Sequence, residues 1–439
     1  MKSARAIRSP RHVSSRSFPL RVVLLITLAQ FAFESTGNFY DAQVPPLLQN
    51  YVGSAAVIGL LMGVDNVVGI FLAPWIGARS DRTRTRWGRR LPYLVALTPV
   101  VAVAFVLLPV ATSLPMLVCL VFVYSLATNA LKPLALSLTP DFVAKHHRAR
   151  ATAIAKIATS LTIIVSSLVS LLLIDDHPVI AFMVPAALTL VAIAVVAWGL
   201  DEKSAPGYQK ALQDDEQASS HKRESAMQSL RMIVNSGPRQ FFMFVPAALL
   251  FFGAWAGMRS LITPYGTGVL GLTRGEAGAL PLLSSVAFLL AAYPVAAWGT
   301  RRGHLHVASV GIGIFVAFAI VSAVTTNWIV VAVAMCGMAI GYAAVAVNAV
   351  VAWWGFAPDD ARIGIMTGMW ITMSALAQTL GPGVVGLGID LTSWRWMFLI
   401  IAVLAAVSLL LMSRTSRIAP KESMPIAETN VPPHDGGSS

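Results

Sequence analysis

The sequence predicts an all-α polytopic membrane protein with twelve transmembrane helices in two pseudo-symmetric six-helix bundles. Three observations predict it. Of 439 residues, 56% are apolar and 12% charged, with a mean hydropathy of +0.71, whereas a soluble domain carries about 25% charged residues. The apolar residues fall in repeated runs of about 20, the length of helix that crosses a bilayer. A polar stretch from Asp201 to about Arg239, with six basic and six acidic residues, splits those runs into two sets.

Apolar runs bounded by charge, Pro, Gly or Asn place spans near residues 21–48, 54–78, 92–112, 114–138, 151–174 and 178–199, then 240–267, 276–299, 307–325, 327–355, 363–389 and 395–413. The expected organisation is a basic tail (1–20), a first bundle (21–199), a cytoplasmic linker (200–239), a second bundle (240–413) and a disordered tail (414–439). Met1 to Arg21 carries six basic residues and no acid. No small-residue cleavage site follows the first apolar run, so this segment reads as a retained topogenic tail and not a signal or transit peptide.

The net charge of +12 sorts by loop. Of 32 Lys and Arg, 27 fall on the side of the N-terminus, two (Arg274 and Arg395) on the other, and three inside spans. Basic residues near span ends stay in the cytoplasm, which predicts an integral protein of the inner or plasma membrane with both termini cytoplasmic. The excess marks orientation in a lipid bilayer, and no nucleic-acid partner is expected. Cys119 and Cys336 lie in different halves, so neither a disulfide nor a metal site is expected. No nucleophile–base, metal-ligand or phosphate-loop constellation points to an enzyme.

The strongest local signal joins spans two and three, where Gly77-Ala78-Arg79-Ser80-Asp81-Arg82-Thr83-Arg84-Thr85-Arg86-Trp87-Gly88-Arg89-Arg90-Leu91-Pro92 packs six Arg around one Asp. Asp81 among guanidinium groups can accept bidentate bonds, and Gly77 would let a neighbouring helix approach closely. Gly77, Asp81, Arg82, Gly88, Arg89 and Arg90 therefore form a candidate conformational latch. An internal echo extends it: Pro140-Asp141 followed by Arg150 opens the fifth span, and Pro358-Asp359 followed by Arg362 opens the eleventh. Asp141 and Arg150 join the latch candidates.

The pattern Gly, three residues, Asp-Arg, then Gly-Arg-Arg resembles the loop signature of the major facilitator superfamily. Its longer form, SDRTRTRWGRRLP, is similar to that of the glycoside and sucrose cation symporters, including plant sucrose carriers and related animal proton-coupled sugar carriers. The resemblance implies a major facilitator fold, alternating access between two bundles, and uptake of a sugar or glycoside, such as sucrose or maltose, by a monomeric carrier. Sodium-coupled melibiose-type members carry carboxylates in span two where this sequence has Gly69 and Ala73. That departure leaves a proton as the expected coupling ion, with no other cofactor, although uncoupled transport is also open.

Six charged residues lie inside the spans: Glu34, Asp41, Asp65, Lys132, Lys156 and Arg259. Each costs about 2.5–3.5 kcal/mol at a helix centre, so it faces a cavity or a partner. In span one, Gln30, Glu34, Asn38 and Asp41 share one helical face. Glu34, Asp65 and Asp41 are the proton-coupling candidates, because desolvation disfavours the charged form of a carboxyl. Asn38, Asn66, Asn129, Lys132, Arg259, Asn348, Trp370 and Gln378 are the substrate-binding candidates, with amides and charges for hydroxyls and an aromatic face for a sugar ring. Tyr124-Thr128-Lys132, Trp255-Arg259-Thr263 and Trp370-Ser374-Gln378 recur at four-residue spacing. Equal depth in spans one and seven predicts a contact between Asp41 and Arg259, while Lys132 is expected near Glu34 or Asp65. Lys156 is expected to snorkel to water. Two rivals are a proton-driven antiporter exporting amphiphilic compounds and a non-transporting membrane sensor.

Overall fold

The computed structural model describes residues 18–144, 147–206, 208–209, 239–356 and 363–418. Among these, twelve long helices follow one another: α1 (Leu20–Gln49), α2 (Ala55–Arg82), α3 (Leu91–Leu107), α4 (Leu114–Phe142), α5 (Arg148–Leu173), α6 (Pro178–Gly199), α7 (Arg239–Gly268), α8 (Pro281–Arg302), α9 (His304–Val324), α10 (Trp328–Trp354), α11 (Ile363–Leu391) and α12 (Met397–Ile418). A short helix, Arg274–Ala279, leads into α8, its entry fixed by a capping box between Thr273 and Glu276.

Large apolar side chains cover the outside of the molecule, among them Trp198, Tyr293 and Phe71, which suits a protein solvated by lipid. Buried rings fill the interior of the first half, where Phe39, Phe105, Phe182 and Tyr124 pack edge to face or tilted. In the first half α1 packs against α4, α5 and α6, α3 against α4 and α6, and α2 against α4, although α2 lies more extensively against α11 of the second half. In the second half α7 lies against α11 and α12, and α10 against α8 and α9. The halves meet along α2–α11, α5–α8 and α1–α7. Adding six to each helix number converts the first of these contacts into the second and maps α1 onto α7, as a pseudo-two-fold axis requires.

Among the described residues, eleven helices are long and apolar enough to cross a membrane. Glycines let α2 and α7 approach α11 closely. A Cβ on Gly59 or Gly63 of α2 would overlap the carbonyl groups of Pro382 or Thr379 on α11, and one on Gly381 would overlap Gly253 of α7. Without side chains at these points the backbones close to van der Waals contact, the main source of helix association in lipid.

Four boundaries differ from the sequence expectation. Helix α12 runs to Ile418, into the tail expected to be disordered from 414. Helix α2 runs to Arg82, so Asp81 sits in its last turn. Helix α4 continues through Pro133 and Pro140 to Phe142, so Asp141 closes α4 instead of opening the fifth span. The eighth span breaks after Ala279, before Pro281. The expected echo at Pro358, Asp359 and Arg362 lies outside the described residues.

Candidate functional site

A cavity of about 470 Å³ lies between the bundles. Helix α1 supplies Glu34, Asn38 and Asp41 to its wall, the shared face that the sequence spacing predicts. Asn66 comes from α2, Tyr124, Thr128 and Lys132 from α4, Arg259 and Trp255 from α7, Tyr342 from α10, and Trp370, Ser374 and Gln378 from α11. Lys156 lines it too; the sequence sent this residue to the membrane surface, but its position on α5 turns it inward beside Glu34. Among the described residues no hydrogen bond or ion pair engages the Glu34 carboxylate, and the half-buried residue lines the cavity. The aromatic wall is flat: Trp255 and Tyr342 stack at 3.9 Å and 8°. Tyr342 was not singled out in the sequence, because one tyrosine in a long apolar run carries no periodic signal.

Two candidates do not reach this cavity. Asn348 is fully buried, its amide donating to the carbonyls of Val295 (3.1 Å) and Ala344 (2.9 Å) while its oxygen meets His304 Nδ1 at 2.7 Å. It therefore ties α8, α9 and α10 together and, fully buried, does not line the cavity. Asn129 donates to Ser125 O (2.9 Å) and sits in the α2–α4 contact, where a Cβ on Gly69 would stand 2.7 Å from its oxygen. The side chain of Asp65 lies outside the described residues.

At one end of the molecule the bundles are sealed in layers. Arg259 meets Asp41 at 2.5 Å and donates to Asn38 Oδ1 at 3.1 Å, the expected pairing across α1 and α7. The next layer is Arg274, which donates to the side chain and backbone oxygens of Gln43 (2.7 and 2.8 Å), beside Gly275 N bonded to Asp175 (3.0 Å). In the last, Asp390 at the end of α11 accepts from Ser54 Oγ (2.5 Å), Ala55 N (2.7 Å) and Ala56 N (3.0 Å). This carboxylate meets the positive end of the α2 dipole and its unpaired amides, a favourable place for an acid. Gln43, Asp175 and Asp390 were not singled out in the sequence, and Arg274 only as a base on the far side, because the register of one bundle against the other leaves no local pattern.

The arginine loop occupies the other end. Arg89 bonds Asp141 at 2.7 Å, Arg90 Nε lies 2.8 Å from the same carboxylate, and both guanidinium groups reach Asp81 at 3.5 Å. A fifth member, Glu202, was assigned to the linker by sequence. It is fully buried and accepts from the backbone amides of Arg90 (2.9 Å) and Leu91 (3.0 Å), capping α3 where its dipole favours a negative charge. Gly88 (φ 109°) passes so close to Glu202 that a Cβ would overlap it. Burial lowers the Arg90 pKa from its ordinary value, and Asp141 opposes the shift.

Three latch expectations require correction. Gly77 has open space where a helix was expected. Arg82 is exposed at the end of α2 and outside the ion cluster. Arg150 stacks on Phe18 at 4.4 Å and not on Asp141. The cluster therefore binds the ends of α2, α3, α4 and α6 within the first bundle.

Two bundles around a polar cavity, sealed at one end, define a membrane carrier architecture. The chain belongs to the Major Facilitator Superfamily, whose family profile matches residues 24–352 and 269–433. Its fold superposes on a mutant of the nucleoside transporter NupG with a TM-score of 0.72 at 14% identity, over 90% of this chain and 99% of the other. The D-xylose-proton symporter gives 0.66 at 14% identity, over 90% and 97%. A shorter sequence match joins it to solute carrier family 45 member 3 of Macaca fascicularis, 33% identical over 97 residues, which is 22% of this chain and 18% of that protein. The membrane-associated transporter protein of Homo sapiens is 27% identical over 92 residues, 21% of this chain and 16% of that one.

Proposed function

We propose that the protein is a proton-coupled symporter that brings a glycoside, of disaccharide size, into the cell by alternating access, as a monomer in the inner or plasma membrane with both termini cytoplasmic. The observation that carries this reading is the cavity between the bundles, where the unengaged carboxylate of Glu34 shares a wall with amides and flat aromatic rings. A sugar needs that combination, since its hydroxyls require directional partners and its C–H face packs on a ring. Under this orientation the arginine loop is cytoplasmic, and the layered seal closes the outer side. The arginine loop, which resembles that of sugar carriers, and the short match to solute carrier family 45 support a sugar carrier over an exporter.

Uptake of labelled sucrose or maltose into proteoliposomes, with and without an imposed pH gradient, tests it. Accumulation driven by an inward proton gradient is the expected result. Equilibration without accumulation would indicate uncoupled transport, proton-driven extrusion of amphiphiles would indicate an exporter, and ligand binding without flux would indicate a sensor.

A further inference from the structure

We infer that the transported glycoside carries a carboxylate, received by Lys156 where the central cavity opens into a side chamber of the first bundle. The inference rests on the glycoside reading and narrows its substrate class. The chamber, about 300 Å³, lies among α1, α4 and α5 and shares Glu34, Lys132 and Lys156 with the central cavity. Two other polar groups of its wall are engaged within the protein: Gln30 donates to Thr139 (3.3 Å), and Arg148 donates to the carbonyls of Val143 (3.1 Å) and Pro140 (3.0 Å).

Lys156 differs from these. It is exposed, lines both spaces, and forms no ion pair or side-chain hydrogen bond with any described residue. Of the described acids on the cavity wall, Asp41 is held by Arg259, and only Glu34 remains on the side of the lysines. When the carrier closes around its substrate, bulk water leaves, and an ammonium facing neutral hydroxyls loses much of its solvation. A carboxylate replaces that solvation with charge-assisted hydrogen bonds.

The proton balance agrees with this. Protonation of Glu34 removes one negative charge from the cavity, and an arriving carboxylate restores it. One proton and one anion then cross together, and the loaded carrier has the net charge of the empty one. A neutral glycoside moving with a proton would instead transfer a positive charge.

Matched methyl glycosides and methyl glycosiduronates of glucose and galactose, offered to the purified full-length carrier, test the inference by thermal stabilisation and by proteoliposome uptake. We expect the glycosiduronates to bind about tenfold tighter or more, the effect of one charge-assisted bond. The preference should vanish in Lys156→Gln and persist in Lys156→Arg. Uptake should follow a pH gradient and ignore a potassium diffusion potential, a measurement on the unmodified protein that stands even if Lys156→Gln fails to fold. Neutral glycosides binding as tightly as their uronates, or uptake driven by the potential, would overturn the inference and leave the glycoside reading intact. Binding by neither series would overturn both.

Discussion

The pair Asp41–Arg259 and the pair Arg89–Asp141 have the same chemistry and opposite roles, and exposure decides which is which. The side chains of Asp41 and Arg259 are 36% and 37% exposed, and such pairs contribute only about 0.2–1 kcal/mol, so thermal motion and substrate can open them. Arg89 and Asp141 are each 7% exposed, and removing one partner of a buried pair costs about 3–5 kcal/mol. The first is suited to a gate and the second to a brace. Asp41→Asn and Arg259→Gln should each slow exchange, with little loss of thermal stability, while the charge-swapped double variant recovers part of the rate. Strictly additive losses in that cycle would show that the two residues act independently. Asp141→Asn should instead lower the melting temperature of the detergent-solubilised protein. Glu202→Gln should lower it too, by about 1–3 kcal/mol of stability, because the buried carboxylate holds the amides that start α3. Unchanged melting in both variants would remove the brace.

Helices α2 and α11 carry glycines at both ends, and only one end is in contact. Gly59 meets Pro382, and Gly386 meets Ala55. Gly77 lies 18 residues beyond Gly59, and Gly368 lies 18 residues before Gly386. Eighteen residues are five full turns, so each pair shares one helical face about 27 Å apart. Both Gly77 and Gly368 face open space. The expectation that Gly77 admits a close neighbour thus fails for this conformation, and the geometry assigns that neighbour to the opposite one, in which the arginine-loop ends of α2 and α11 close while the Asp390 cap on α2 opens. In a background lacking Cys119 and Cys336, Gly77→Cys with Gly368→Cys should crosslink, and the yield should rise in Asp390→Asn, which loosens the closed end. A yield that falls, or stays flat, in Asp390→Asn would mean that the two ends do not move reciprocally. Gly63→Leu should hold α2 away from α11 and abolish exchange while the protein still inserts.

At the scale of the whole molecule, the fold was legible in the sequence because lipid enforces it: every backbone group must be paired inside a helix, and each helix must span a fixed thickness. The polar face of α1 was legible for the same reason, since Glu34, Asn38 and Asp41 could only turn away from lipid. What escaped was set by contacts between distant segments. Glu202 reads as one more linker charge until α6 brings it beneath α3, and Asn348 reads as a cavity amide until α8 and α9 close over it. Nothing local distinguishes a polar group that faces a substrate from one that faces another helix. The same geometry separates transport from coupling. Glu34 is unengaged among the described residues and Asp41 is held by Arg259, so the proposed proton coupling falls to Glu34 and the proposed gate to Asp41. Glu34→Gln, neutral and nearly isosteric, should therefore keep exchange of labelled for unlabelled substrate across proteoliposomes with equal pH on both sides. It should lose accumulation against a gradient when the outside is made acidic. Loss of both activities would place Glu34 in substrate binding, and retention of both would move the proton to another acid.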